Sequence, residues 1–298
     1  MRLHMYFGWL LGILVLTGSV HAAILIDGYT PNTNDRFTNN ANFIAAQFDL
    51  SGIGQTAGGR WATLVSPNVV VSANHFPPSG TVNFYPTNNP NSTAVTRTIV
   101  SSVKVGSTDL WLGVLSSEVP SSIRTYNFAT TFISGTPPTA TGFFVTNAGP
   151  FQGANAYLVG ISPSPTSGSQ SQAIGRNLIT GFAENVPFEG NTDNDSLILN
   201  YDPVGNASYT VFESHFVVND SGAPMFIDQG GDLLLLGTNA FVGPDSGPVQ
   251  FSGVNYIGNQ ASFVNNFISV NAVPEPSSIS LAVFSIVAAL VFTRRRSR

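Results

Sequence analysis

Trp61-Ala-Thr-Leu-Val-Ser66-Pro67-Asn68-Val69-Val-Val-Ser-Ala-Asn74-His75 carries two apolar runs around a Ser-Pro-Asn turn and ends on an imidazole. Both runs are short and rich in Val and Leu, and the proline and asparagine between them favour a reversal of the chain. The stretch therefore predicts two strands joined by a turn, with His75 just beyond the second.

The pattern repeats outward from there. Strand-like runs lie at Trp61 to Val65, Val69 to Ser72, Thr81 to Tyr85, Arg97 to Val105, Leu110 to Leu115 and Gly142 to Val145. They continue at Ala156 to Ile161, Ser196 to Asn200, Tyr209 to Phe212, Leu233 to Gly237 and Val249 to Phe251. Gly, Pro, Asn or Ser separates each from the next, as barrels and sandwiches require. Only Gln260 to Val270 has helical spacing, with Ala261, Val264, Phe267 and Ile268 on one face. An all-β body with one short late helix is expected, in a single unit over residues 23–272.

Composition narrows the chemistry. The chain has 298 residues, 43% apolar and 9% charged, enough for a sizeable core. It has no cysteine, which excludes disulfides, thiolate metal sites and a thiol nucleophile, so any nucleophile is an oxygen. Between the two ends six basic residues (Arg36, Arg60, Arg97, Lys104, Arg124, Arg176) face fifteen acidic ones. That balance repels nucleic acid, so no nucleic-acid partner is expected. With no His-Glu-x-x-His pattern and no dinucleotide glycine fingerprint, no metal and no cofactor are expected either.

The two ends have the character of addresses. Arg2, an apolar stretch from Tyr6 to Leu16 and the small-residue run Thr17-Gly18-Ser19-Val20-His21-Ala22 predict a signal peptide over residues 1–22, removed by signal peptidase after Ala22. At the other end Val273-Pro274-Glu275-Pro276 precedes an apolar segment and then Arg294, Arg295, Arg296 and Arg298. Prolines stop the preceding structure, residues 279–293 can enter a membrane, and the arginines stay on the cytoplasmic side. This tail, residues 273–298, resembles the PEP-CTERM sorting signal. The resemblance implies a Gram-negative bacterium, export across the inner membrane and recognition by an exosortase-type enzyme. The destination it implies is the cell envelope, outer surface or extracellular matrix.

Beyond residue 22 the chain holds two histidines, His75 and His215. A hydrolase that activates a hydroxyl near neutral pH needs a base such as imidazole, which can take and return one proton. The run into His75 resembles the trypsin and chymotrypsin family at its histidine motif, where a strand, a Ser-Pro turn and a second strand lead into Ala-Ala-His. Here Asn74 replaces the second Ala. Thr108-Asp109-Leu110-Trp111-Leu112-Gly113-Val114-Leu115 resembles the family's Asp-Ile-Ala-Leu-Leu strand, with Trp111 where a small residue is usual. Asn219-Asp220-Ser221-Gly222-Ala223-Pro224 resembles Gly-Asp-Ser-Gly-Gly-Pro. The order His, Asp, Ser is the one this family requires.

The resemblance implies two six-stranded Greek-key β-barrels and a serine endopeptidase acting on a protein or peptide substrate. It gives His75, Asp109 and Ser221 as the catalytic triad and the backbone amides of Asn219 and Ser221 as the oxyanion hole. Asn stands at 219 in place of glycine, and it is the side-chain-bearing residue that best tolerates positive φ. Leu235 to Phe241 resembles the strand that walls the substrate cleft, and Ser252 to Ile257 the strand that precedes the family's final helix. His215 falls at the base of the primary specificity pocket, with Ala240 and Phe241 in its wall. A substrate with a polar or acidic side chain is then expected. Asp220 needs a partner, and Arg176 is the internal candidate. The alternative is a catalytically inactive homologue serving as an envelope or matrix adhesion protein, suggested by the sorting tail and the departures at Asn74, Trp111 and Asn219.

Overall fold

A computed structural model describes residues 23–135, 145–164, 168–243 and 250–272. The expected signal peptide, the sorting tail with its span at 279–293, and most of the run from Gly142 lie outside these residues. In chain order the described elements begin with β1 (Leu25–Ile26), α1 (Pro31–Asn34), β2 (Ile53–Gln55), β3 (Trp61–Ser66) and β4 (Val69–Ala73). Next come β5 (Thr81–Phe84), β6 (Val95–Lys104), β7 (Leu110–Leu115), β8 (Asn127–Phe128), β9 (Asn155–Gly160) and β10 (Ala173–Leu178). The chain continues with β11 (Gly181–Phe188), β12 (Asn191–Tyr201), β13 (Ser214–His215) and β14 (Pro224–Gln229). It closes with β15 (Asp232–Val242), β16 (Gln250–Tyr256) and α2 (Ala261–Asn271). Among the described residues no helix is long and apolar enough to cross a membrane.

β3 and β4 pair antiparallel around the expected turn, where the Ser66 hydroxyl accepts from the Val69 amide at 3.1 Å. They belong to a closed six-stranded barrel in the order β2-β3-β4-β7-β6-β5. Both faces of β3, β4 and β7 are buried, which explains their unbroken apolar sequences. Alternate residues serve two cores. Ala62, Leu64, Val70 and Trp111 fill the barrel, while Trp61, Val69, Val71, Leu110 and Leu112 face the second sheet. Trp111 fits where a smaller residue was anticipated because Gly113, two residues on along the same strand, leaves its Cβ position to the indole ring.

The second sheet runs β10-β9-β14-β15-β16-β12-β11, with β8 added parallel to β15. This differs from the expected second six-stranded barrel: among the described residues it has eight strands, and no backbone ladder pairs β10 with β11. The reason lies at the outer edge of β10. Arg176 N donates to Phe212 O at 2.8 Å and Arg176 bridges Glu213, so the segment leading into β13 occupies the edge that closure would need. The two end strands are joined by the chain itself, β10 running into β11 through Ile179 and Thr180, and Asn177 Nδ2 adds bonds to Asn200 O on β12 and to Ser214 O.

A shared core of Phe43, Phe48, Trp61, Tyr157, Phe226 and their neighbours joins barrel to sheet. α2 follows the expected register, burying Ala261 and Val264 and packing Phe267 and Ile268 on that core. Its C-terminus is fixed to the β3–β4 turn, where Asn68 Nδ2 donates to Asn271 O at 2.7 Å. Tyr209 to Phe212 is a turn, not a strand. The Thr210 amide and hydroxyl both donate to the Glu213 carboxylate, and Phe212 takes a φ of 65°. Local satisfaction of that buried carboxylate bends the chain away from any sheet.

Candidate active site

β4 and β7 are hydrogen-bonded neighbours, with Ala73 opposite Leu110. One ends just before His75 and the other begins just after Asp109, so the ladder itself brings the two side chains to the same end of the barrel. His75 Nδ1 lies 2.6 Å from Asp109 Oδ2, and the His75 amide donates to Asp109 Oδ1 at 2.7 Å. A carboxylate that takes both the ring and the backbone of one histidine fixes the ring's orientation as well as its tautomer.

Ser221 arrives from the other body. It sits in the turn before β14, and its Oγ lies 2.7 Å from His75 Nε2. Two features seat the turn. Gly222 N donates to Asn239 O on β15 at 2.9 Å, and Gly222, at φ 84°, rests against Ser72 and Ala73 of β4. Asn219 takes a φ of 86°, as its place in the sequence anticipates. Val217 and Asp220 close the loop reciprocally, Asp220 N donating to Val217 O and Val217 N to Asp220 Oδ2.

Asp109 is fully buried and accepts from more than His75. Asn255 Nδ2 on β16 donates to Oδ2 at 3.2 Å, and Asn191 Nδ2 donates to Oδ1 at 3.4 Å. Asn194 Oδ1 in turn accepts the Asp109 amide at 2.6 Å. These three asparagines come from the second sheet, so both bodies hold the carboxylate. They escaped the sequence reading. A weak signal was present at Asn255, a polar residue inside the apolar run Val254 to Ile257; Asn191 and Asn194 fall in a polar stretch with no local mark.

The cavity at this junction holds about 390 Å³ and is lined by His75, Ser221 and Asn219 together with Ala240 and Phe241. His215, expected at its base, is not among the lining residues. It is buried on β13, paired with Leu25 of β1, with Nδ1 3.0 Å from Ser252 Oγ. Phe216, the next residue, takes the place at the wall.

Arg176, expected to meet Asp220, points elsewhere. Its guanidinium lies 5.1 Å from the Tyr157 ring centroid and 3.4 Å from Ile44 O, because β10 directs it toward the segment after α1. Asp220 is fully buried and accepts instead from the amides of Ile161 and Val217 at 2.8 and 3.0 Å. Among the described residues no cation pairs with it. Burial pushes its carboxyl up to about 8, against the opposing effect of the two amides.

The geometry offers a hydroxyl, an imidazole and a buried carboxylate in one hydrogen-bonded line, the arrangement in which a base can take an alcohol's proton. No family model matches this chain, and no curated protein matches it.

Proposed function

We propose that the chain is an exported serine endopeptidase of the trypsin and chymotrypsin type. The single observation that carries this reading is the line Ser221 Oγ to His75 Nε2 at 2.7 Å and His75 Nδ1 to Asp109 Oδ2 at 2.6 Å. In the reaction Ser221 Oγ attacks the scissile carbonyl carbon as its proton passes to His75 Nε2. The imidazolium, held by Asp109, gives that proton to the leaving amine as the C–N bond breaks, leaving an acyl-enzyme. Water, deprotonated by the same nitrogen, releases the acid and restores Ser221. The negative oxygen of each tetrahedral intermediate is held by the amides of Asn219 and Ser221; one such donor contributes about 3 kcal/mol, on the order of a hundredfold in rate.

In this reading the eight-stranded sheet is the second barrel of a chymotrypsin-like pair, opened by the Phe212 to His215 segment. Residues 1–22 are removed on export, and the tail at 273–298 directs delivery to the envelope or extracellular matrix through an exosortase-type enzyme.

The test compares wild type with Ser221→Ala and His75→Ala on an unstructured protein substrate at equal folded fraction. Turnover is expected in wild type and a loss of at least about a thousandfold in each variant. Equal turnover in wild type and Ser221→Ala overturns the reading; a folded but inert wild type leaves the adhesion alternative.

A further inference from the structure

The walls of the cavity bear on which substrate side chain it selects. The β11–β12 hairpin ends in a two-residue turn, Glu189 at φ 48° and Gly190 at φ 75°, the signature of a tight hairpin with both central residues left-handed. Its tip reaches the catalytic residues. The Phe188 ring stands edge-on to His75, with centroids 5.0 Å apart and planes at 90°. Phe188 also meets Phe241 at 5.6 Å, and Phe241 meets Phe251 at 6.4 Å. The Phe241 ring is backed by Gly253 of β16, where a Cβ would collide with it.

The tip is held in place by one of the asparagines that also hold Asp109. Asn191 Nδ2 donates to Phe188 O at 3.0 Å and Glu189 O at 3.3 Å as well as to Asp109. The aromatic wall is thus fixed to the catalytic carboxylate. The loop before Ser221 also contributes Phe216, Val217 and Val218 to the cavity lining. Val218 is 71% exposed and presents an apolar side chain in the cavity lining, three residues before Ser221. Among the described residues lining the cavity, Glu189 on the exposed tip and the buried Asp220 are the acidic ones, and no Lys or Arg is present to receive a substrate carboxylate.

We propose that the slot between Phe188 and Phe241 on one side and Val217 and Val218 on the other takes a bulky apolar side chain of the substrate peptide next to the bond that Ser221 attacks. The hairpin tip is the specificity-determining element. This rests on the peptidase reading, and it replaces the polar or acidic preference that His215 suggested, since that imidazole lies behind the wall.

The test uses peptidyl phosphonates that differ only in one side chain, Phe, Leu, Gly, Glu or Lys, with a small fluorophosphonate carrying no peptide as the control. The Phe or Leu probe is expected to modify Ser221 of wild type at least about tenfold faster than the Gly, Glu or Lys probes. The ratio of Phe to Gly rates, measured within each protein, is expected to fall severalfold in Phe188→Ala and to be largely kept in Phe188→Leu. If the small fluorophosphonate reacts but the Glu or Lys probe equals or outpaces the Phe probe, the slot assignment is overturned and the peptidase reading stands. An unchanged ratio in Phe188→Ala overturns the role of the hairpin tip. If no probe, including the small one, reacts with folded protein, both fall together.

Discussion

Gly222 lies on Ser72 so closely that a Cβ at Gly222 would overlap the Ser72 hydroxyl. The contact joins the turn that carries Ser221 to the strand that ends before His75, so it bears on the Ser221 to His75 distance across two bodies. A side chain there must also tolerate a φ of 84°. Gly222→Ala is expected to destabilise the fold by about 1–3 kcal/mol and to lower activity beyond that loss, because the turn must lift off β4. Urea unfolding and turnover at equal folded fraction check this; a variant with wild-type turnover shows that the contact does not position Ser221.

Asn255 supplies Asp109 with a donor from β16, 3.2 Å from Oδ2. Asn255→Leu keeps the volume and strips the donor. A hydrogen bond to a charged group contributes roughly 1.5–3 kcal/mol, so kcat/KM is expected to fall about tenfold to a hundredfold with the fold retained. Unchanged kcat/KM makes Asn255 a packing residue only.

Stability should fall as pH rises because of Asp220. Its carboxyl is pushed up to about 8 in the folded chain, from an ordinary value of 3.8. Between these values the folded chain holds a proton that the unfolded chain has released. The favourable contribution is therefore complete below about pH 4 and is lost as pH rises through about 8. Asp35, Asp195 and Glu213 are raised by burial as well and act in the same direction. They remain in Asp220→Asn, so the variant is expected to lose less stability than wild type from about pH 5 to 8. Parallel unfolding midpoints across that range contradict the assignment.

Arg36 is a fully buried guanidinium whose hydrogen-bond partners among the described residues are all neutral: Tyr85 O at 2.7 Å, Gln172 Oε1 at 2.9 Å, Asn88 Oδ1 at 3.0 Å and Ile53 O at 3.4 Å. It links the N-terminal segment to the barrel and to the segment before β10. Arg36→Ala strands these acceptors and is expected to cost about 3 kcal/mol. Arg36→Lys should restore little, since one ammonium cannot reach four divergent acceptors. Thermal unfolding decides; a shift equivalent to less than about 0.5 kcal/mol contradicts the role.

The barrel was legible because its strands bury both faces and advertise themselves as apolar runs, and His75, Asp109 and Ser221 were legible because each sits at a strand end or turn with a local signature. The second sheet was legible only in part: β9, β12, β15 and β16 coincide with expected runs, whereas β10, β11 and β14 do not. β11 contains Asn185 at φ 53° and register shifts against β12, and β12 begins in a polar stretch, Asn191 to Asp195, whose side chains are used for hydrogen bonds. Neither alternation nor apolar content marks such strands. The N-terminal segment was likewise silent, although Ile24, Phe37, Phe43, Phe48 and Leu50 are buried, because isolated aromatics between polar residues carry no period. His215 ends β13 behind the lining, and the cavity wall begins one residue later, at Phe216.

A serine peptidase at this site requires His75 to make the Ser221 alcohol nucleophilic. Intact and peptide mass spectrometry after brief exposure to a small fluorophosphonate measures this directly. A single adduct, mapped to Ser221, is expected in wild type, with a rate at least about a thousandfold lower in His75→Ala. Folded wild type that stays unmodified, or that reacts just as fast without the imidazole, contradicts it.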